Sequence, residues 1–79
     1  MSHAKTRTED YGRTILEVED RDGDKAIFFP ATVDTPHHLT AYVTAYGFGG
    51  EVTVGLTPKA CRKIIKLLSG YLADAEARS

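Results

Sequence analysis

The chain lacks the features that mark several large classes of protein. It has a single cysteine, Cys61, which excludes an intrachain disulfide framework. Its longest unbroken apolar run is far shorter than a membrane-spanning helix requires, and its first residues do not have the pattern of a secretory leader. These absences predict a soluble, cytoplasmic protein that has no membrane as a partner.

A strong net charge is also absent, because the formal net charge is −1 at pH 7. This balance argues against a generally basic nucleic-acid binder. The charges are nevertheless unevenly divided: residues 1–56 carry five Lys or Arg against nine Asp or Glu, whereas residues 57–79 carry five against two. The sequence therefore combines an acidic body with a basic C-terminal segment.

The chain has 79 residues, close to the size at which one hydrophobic core is only just sufficient. Residues 1–12 lack apolar periodicity and are predicted to form a flexible N-terminal tail. Residues 13–79 are predicted to form a single α+β domain. Since domains of this size often gain stability by association, we expect a homodimer.

Residues 58–77 show the periodicity of an amphipathic helix. Thr57 can cap the first turn with its hydroxyl, and Pro58 has no amide proton to lose at the first helical position. On a helical wheel, the apolar side chains fall within an arc of about 160°. This arc, called the helix stripe below, consists of Ala60, Cys61, Ile64, Ile65, Leu67, Leu68, Tyr71, Leu72 and Ala75. Because the helix stripe is wider than a coiled-coil seam, it favours packing against a sheet.

Alternation of apolar and polar residues predicts four strands before this helix. They cover residues 13–20, 25–29, 38–46 and 51–56. Asp22-Gly23 and the glycines at 47, 49 and 50 indicate tight turns, and residues 31–37 indicate a longer loop. The predicted fold is a four-stranded antiparallel meander (ββββα) with the C-terminal amphipathic helix packed on one face.

The two faces of the predicted sheet differ in side-chain size. The side expected beneath the helix carries Leu16, Val18, Leu39, Ala41, Val43, Ala45, Val52, Val54 and Leu56. The other side carries Ile27, Phe29, Tyr42 and Tyr46, and we call it the tyrosine face. Since one helix covers only one side of a sheet, the tyrosine face is predicted to contact a second copy or a partner protein. The N-terminal tail folding over it is the alternative.

Four cations lie on the helix opposite the helix stripe. Lys59, Arg62, Lys63 and Lys66 span about 100° of the helical wheel and form what we call the basic band. Cations in the N-terminal half of a helix oppose its dipole, so helix stability alone does not select them. Two interpretations stay open: a contact surface for an anionic partner, and a solvated helix exterior.

The candidates for chemistry are weak. Cys61 with His37 or His38 as a base would suit a thiol enzyme, but Cys61 belongs to the helix stripe, where free cysteine behaves as a small hydrophobe. The same three residues make a poor zinc site, because adjacent histidines on a strand point to opposite faces and no fourth ligand has suitable spacing. We predict no enzyme, no cofactor and no metal.

Two glycine-containing segments are typical of turns and not of ligand-binding loops. The carboxylates of residues 20–24 lack the distal glutamate of a calcium-binding EF-hand loop and favour a solvated hairpin tip. The glycines of residues 47–50 are not followed by the Lys-Ser/Thr pair of a phosphate-binding loop.

The closing pattern, Leu56-Thr57-Pro58 followed by an amphipathic helix, is similar to that of many short proteins of bacteria and their phages. The resemblance implies a phage or mobile-element setting. We predict a small non-enzymatic protein–protein interaction module, an anti-CRISPR-like inhibitor of a host machine that acts as a homodimer by surface occlusion. The alternative function is a nucleic-acid-binding protein that uses the basic band.

Overall fold

The computed structural model describes residues 3–8, 13–47 and 49–78. They form strands β1 (His3–Thr8), β2 (Thr14–Glu19), β3 (Lys25–Pro30), β4 (Ala41–Gly47) and β5 (Gly50–Leu56), followed by helix α1 (Pro58–Ala77). The strands make one antiparallel sheet in the order β1-β2-β3-β4-β5. The α+β class is confirmed, and the predicted number of four strands is wrong by one.

The additional strand is β1, which lies in the segment predicted to be a flexible tail. It pairs antiparallel with β2, and Lys5 stands opposite Glu17, with its Nζ 3.5 Å from Oε2 of that carboxylate. Strand β1 has no apolar alternation because it is a polar edge strand. Apolar periodicity therefore cannot reveal it. The rest of residues 1–12 lies outside the described residues.

The predicted turn between β2 and β3 is organised by Asp20. Its carboxylate Oδ1 accepts hydrogen bonds from the backbone N–H groups of Asp22 at 2.9 Å and of Asp24 at 3.1 Å. Gly23 has a φ of 89°, a conformation that glycine adopts without a steric penalty. These carboxylates thus shape an exposed hairpin tip, in agreement with the interpretation of residues 20–24 as a turn.

The small core lies on the tyrosine face, and the prediction that the opposite side would be the buried one is wrong. Ile15 is 1% exposed and Ile27 is 8% exposed. Glu17 and Thr44 are also buried, and each stands directly opposite Ile27 on a neighbouring strand, which places all three side chains on one side of the sheet. On the other side, Val52 is 60% exposed.

Leu39 explains part of this reversal. It precedes β4, in a turn that its N–H closes onto the carbonyl of Pro36 at 3.0 Å, so it does not continue the strand alternation. Its side chain lies over Gly55, where an added Cβ would stand 2.7 Å from Leu39 Cδ1. Gly55 is opposite Tyr42 in the register, so Leu39 covers the tyrosine face instead of the other side.

The helix does not cover the sheet. Among the elements of the described chain, α1 contacts only β5, the strand that leads into it, and none of its residues is buried. The prediction of a helix packed on one face is therefore wrong for the isolated chain. That prediction was based on the width of the helix stripe. A wide apolar stripe indicates that the helix packs against another surface, but it does not show whether that surface belongs to the same chain.

The β4–β5 hairpin offers a matched test of backbone conformation. Gly50 has a φ of 109°, whereas its neighbour Gly49 has no positive φ, and neither has another atom within 4 Å of an added Cβ. Gly50→Ala should lower the free energy of unfolding by about 1 kcal/mol because alanine is strained at positive φ. Gly49→Ala should be neutral or slightly stabilising. Urea unfolding of both variants is the measurement, and equal effects would contradict this account.

Candidate protein interaction surface

The start of α1 is fixed by its sequence. Thr57 has extended backbone angles, φ −77° and ψ 163°, and its Oγ1 accepts a hydrogen bond from the N–H of Ala60 at 3.1 Å. Pro58 occupies the first helical position, as predicted. This cap holds the first turn next to the end of β5, and the remaining turns extend from that point.

The helix stripe is the largest exposed apolar feature of the described chain. Ala60, Cys61 and Ile64, which lie in the first two turns near β5, are partly buried. Further along, the exposed fractions are 66% for Ile65, 44% for Leu67, 57% for Leu68, 60% for Tyr71 and 60% for Leu72. Soluble monomers seldom present contiguous apolar side chains of this size unless a ligand or partner covers them.

Strand β5 extends this apolar surface. It is one edge of the sheet, and its Val52 and Val54 are half or more exposed. The opposite edge strand, β1, carries Lys5, and a cation on an edge discourages pairing with another chain. Strand β5 has no lysine, arginine or proline, and its charged residue, Glu51, lies near its start, away from Val54. The end of the molecule formed by β5 and α1 is therefore suited to association.

The predicted tyrosine face is only partly available to a partner. Its four residues do share one side of the sheet, as the register shows. Phe29 and Tyr42 stack on each other, with ring centroids 4.9 Å apart and an interplanar angle of 15°. Tyr46 is 36% exposed. Ile27, in contrast, is buried and is not available to contact a partner. The core fills much of the surface that was expected to be adhesive.

The basic band is exposed along its whole length. Lys59, Arg62, Lys63 and Lys66 all have solvent-accessible side chains on the helix. The first turn contains no acidic residue and the last turn no basic one, so both ends of α1 carry charges that the helix dipole disfavours. Asp74 and Glu76 are the acidic residues of the helix, both in its last turns.

The candidates for chemistry do not form a site. His37 and His38 are exposed residues of the loop before β4, and Cys61 is partly buried in α1. An open hollow of about 920 Å³ beneath that loop is lined by Arg13, Ala31, Thr32, Val33, Asp34, His37 and Tyr42, without the cysteine. Within residues 3–8, 13–47 and 49–78, no three histidine, cysteine or carboxylate side chains are grouped to hold a metal ion.

Comparison with family models, with curated proteins and with solved structures gives no match for this chain. In the described part of the chain, no helix has both the length and the apolar character needed to cross a bilayer.

The sequence interpretation assigned the helix stripe to the core and so missed it as a surface. One signal was present in the sequence, because the cations of the basic band lie in the first half of α1 and Asp74 and Glu76 in its last turns, against the helix dipole. A helix stabilised by its own chain has no need of that arrangement. Exposed Val52 and Val54 gave no separate signal, since alternating valines are equally typical of a covered sheet.

The cap of α1 can be tested by substitution at Thr57. Thr57→Ala removes the acceptor for the Ala60 N–H and should lower the free energy of unfolding by about 1 kcal/mol, with a loss of helical circular dichroism. Thr57→Ser keeps a hydroxyl and is the matched control, expected to differ from the unmodified protein by a few tenths of a kcal/mol. Equal destabilisation by both variants would show that the hydroxyl is unimportant.

Proposed function

We propose that this chain is a non-enzymatic protein–protein interaction module that acts as a homodimer and associates through the helix stripe. The observation that supports the proposal is the exposure of Ile65, Leu67, Leu68, Tyr71 and Leu72 along successive turns of α1. No other element of the described chain except β5 contacts this helix. A second molecule is the natural source of the missing cover.

The free energies for and against association are of similar size. Completing the burial of each of these side chains contributes roughly 1 kcal/mol, since full burial of a large apolar side chain is worth about 1.5–3 kcal/mol. Two copies together then contribute roughly 10 kcal/mol. Lost translational and rotational freedom opposes association by about 4–15 kcal/mol. The expected dimer is consequently one whose population depends on protein concentration.

The helix itself also needs a partner. Most helical stability in proteins comes from tertiary packing of an amphipathic face, and α1 has little packing of this kind within its own described chain. Gly70 weakens α1 by about 1 kcal/mol relative to alanine, and the basic band opposes the dipole. Formation of the helix and formation of the dimer are thus coupled in this proposal. The tyrosine face, with Tyr46 at its exposed end, is left for a different partner protein.

The helix stripe is tested by a charge placed within it. Leu68→Glu should convert a dimer into a monomer, because the carboxylate would lose its hydration at the interface. Ala73→Glu is the matched control, since Ala73 is exposed on the opposite side of α1 and the new side chain is the same. Light scattering over a range of concentrations gives the mass, and circular dichroism should show that helicity falls together with it.

Two results would contradict the proposal. One is a monomeric mass for the unmodified protein at every concentration. The other is a dimer that survives Leu68→Glu but is lost in Tyr42→Glu/Tyr46→Glu, which would move the interface to the tyrosine face. An unchanged mass in the Ala73→Glu control makes the comparison specific to the helix stripe.

Nucleic-acid binding is the second candidate function, and the exposure of the whole basic band favours it. If it is correct, generic DNA or RNA should bind at low salt and dissociate steeply as salt is raised. Lys59→Glu/Lys66→Glu should abolish that binding while leaving the dimer intact, because both residues point directly away from the helix stripe. Absence of binding at low salt would eliminate this candidate.

The narrower prediction, an anti-CRISPR-like inhibitor of a host machine, stays a prediction. A homodimer that leaves the tyrosine face and the Lys59 and Lys66 side chains of the basic band accessible has two surfaces of different chemistry with which to occlude another protein. Affinity capture from the native host, followed by mass spectrometry, would identify that protein. Variants in Tyr46 and in Lys66 would then show which surface it contacts.

A further inference from the structure

We infer that the helix stripe takes a second copy of this chain with the two α1 helices antiparallel. This inference rests on the proposed homodimer and adds the direction and register of its helices. The charges beside the helix stripe indicate the direction, because they are the groups that face each other when two amphipathic helices pack.

Each edge of the helix stripe carries one cation and one carboxylate. On the helical wheel, Lys63 and Asp74 flank one edge, and Arg62 and Glu76 flank the other. In both cases the cation belongs to the N-terminal half of α1 and the carboxylate to its last turns. Lys63 and Asp74 are about 16 Å apart along the axis, at 1.5 Å per residue, so they cannot pair within one helix.

Antiparallel packing brings these opposite charges together. Groups on the same edge of the stripe face each other when the helices run in opposite directions. Lys63 precedes the Leu68–Ser69 peptide bond by the same number of residues as Asp74 follows it. A two-fold axis through that peptide bond therefore places Lys63 opposite Asp74 of the second copy. The same axis brings Arg62 within one residue of Glu76 on the other edge. Symmetry repeats both pairs.

The same register is self-complementary for the apolar residues. Leu68 meets its own counterpart near the axis, and Ile65 falls opposite Leu72. Because the dipoles of antiparallel helices oppose each other, the carboxylates of one helix also lie beside the positive end of the other. The charges that are unfavourable within a single α1 become favourable between two.

Two other arrangements of the same dimer do not bring opposite charges together. Parallel helices would place Lys63 beside the cations of the second copy and would align the dipoles. A helix laid on the sheet of the second copy would meet the exposed Val52 and Val54, which offer no charge to Lys63 or Asp74. Charge complementarity thus favours the antiparallel pair.

Cysteine cross-linking distinguishes these arrangements. In the antiparallel register, Cys61 lies within one residue of Ala75 of the second copy and far from its counterpart cysteine. With oxidised glutathione as the oxidant, Ala75→Cys should form a covalent dimer, while the unmodified protein should not. Within one chain the two positions are about 21 Å apart along the helix, too far for a disulfide. Ala75→Cys/Cys61→Ala is the control, expected to give no covalent dimer.

Three results would contradict either the antiparallel register or the homodimer on which it rests. A covalent dimer of the unmodified protein would show parallel helices. A non-covalent dimer in which Ala75→Cys forms no cross-link would overturn the antiparallel register while leaving the homodimer in place. A monomeric mass for the unmodified protein would instead remove the proposed function itself.

Charge exchange gives an independent readout. Lys63→Glu alone and Asp74→Lys alone should each weaken dimerisation roughly tenfold at low salt, because an attraction becomes a repulsion at two symmetric places. The double variant K63E/D74K should recover the original affinity, and the differences should shrink at high salt. Both substitutions suit the helix dipole, so weaker dimerisation cannot be attributed to a weaker helix. A double variant as weak as the two single variants would contradict the pairing.

Discussion

The need to bury apolar surface between two layers governs this structure. A sheet or an amphipathic helix is stable only when its apolar side packs against another element, and here the sheet and α1 do not cover each other. The side chains of the tyrosine face and Leu39 give the sheet a small core around Ile15 and Ile27. Within residues 3–8, 13–47 and 49–78 the helix has no equivalent cover, and Ile65, Leu68 and Tyr71 remain more than half exposed.

Much of the local structure was predictable because it depends on neighbouring residues. The turn at Gly23, the hairpin at Gly50 and the cap at Thr57 each follow from the conformations and hydrogen bonds that a few adjacent residues allow. Strand β1 was not predictable in this way. A polar edge strand is formed by pairing with β2, a contact that periodicity does not report.

The sequence also could not predict which side of the sheet holds the core. Alternation shows that two faces differ, but not which one another segment covers, and Leu39 reaches the unexpected face from a turn. The helix stripe presents the same ambiguity on a larger scale. Its pattern was recognised, and the exposure of the basic band was expected. The sequence pattern around Leu68 is nevertheless the same whether the surface that covers this residue belongs to its own chain or to another.

The strand order bears on how the chain is made. Each strand after β1 pairs with the strand before it in the chain, so the sheet is built from contacts between segments that are close in sequence. The strands can therefore pair in the order in which they are synthesised, and α1 follows them in the chain. Because α1 follows β1–β5 in the chain, the sheet can form before the exposed apolar side chains of the helix stripe are synthesised, which limits misassembly between nascent chains.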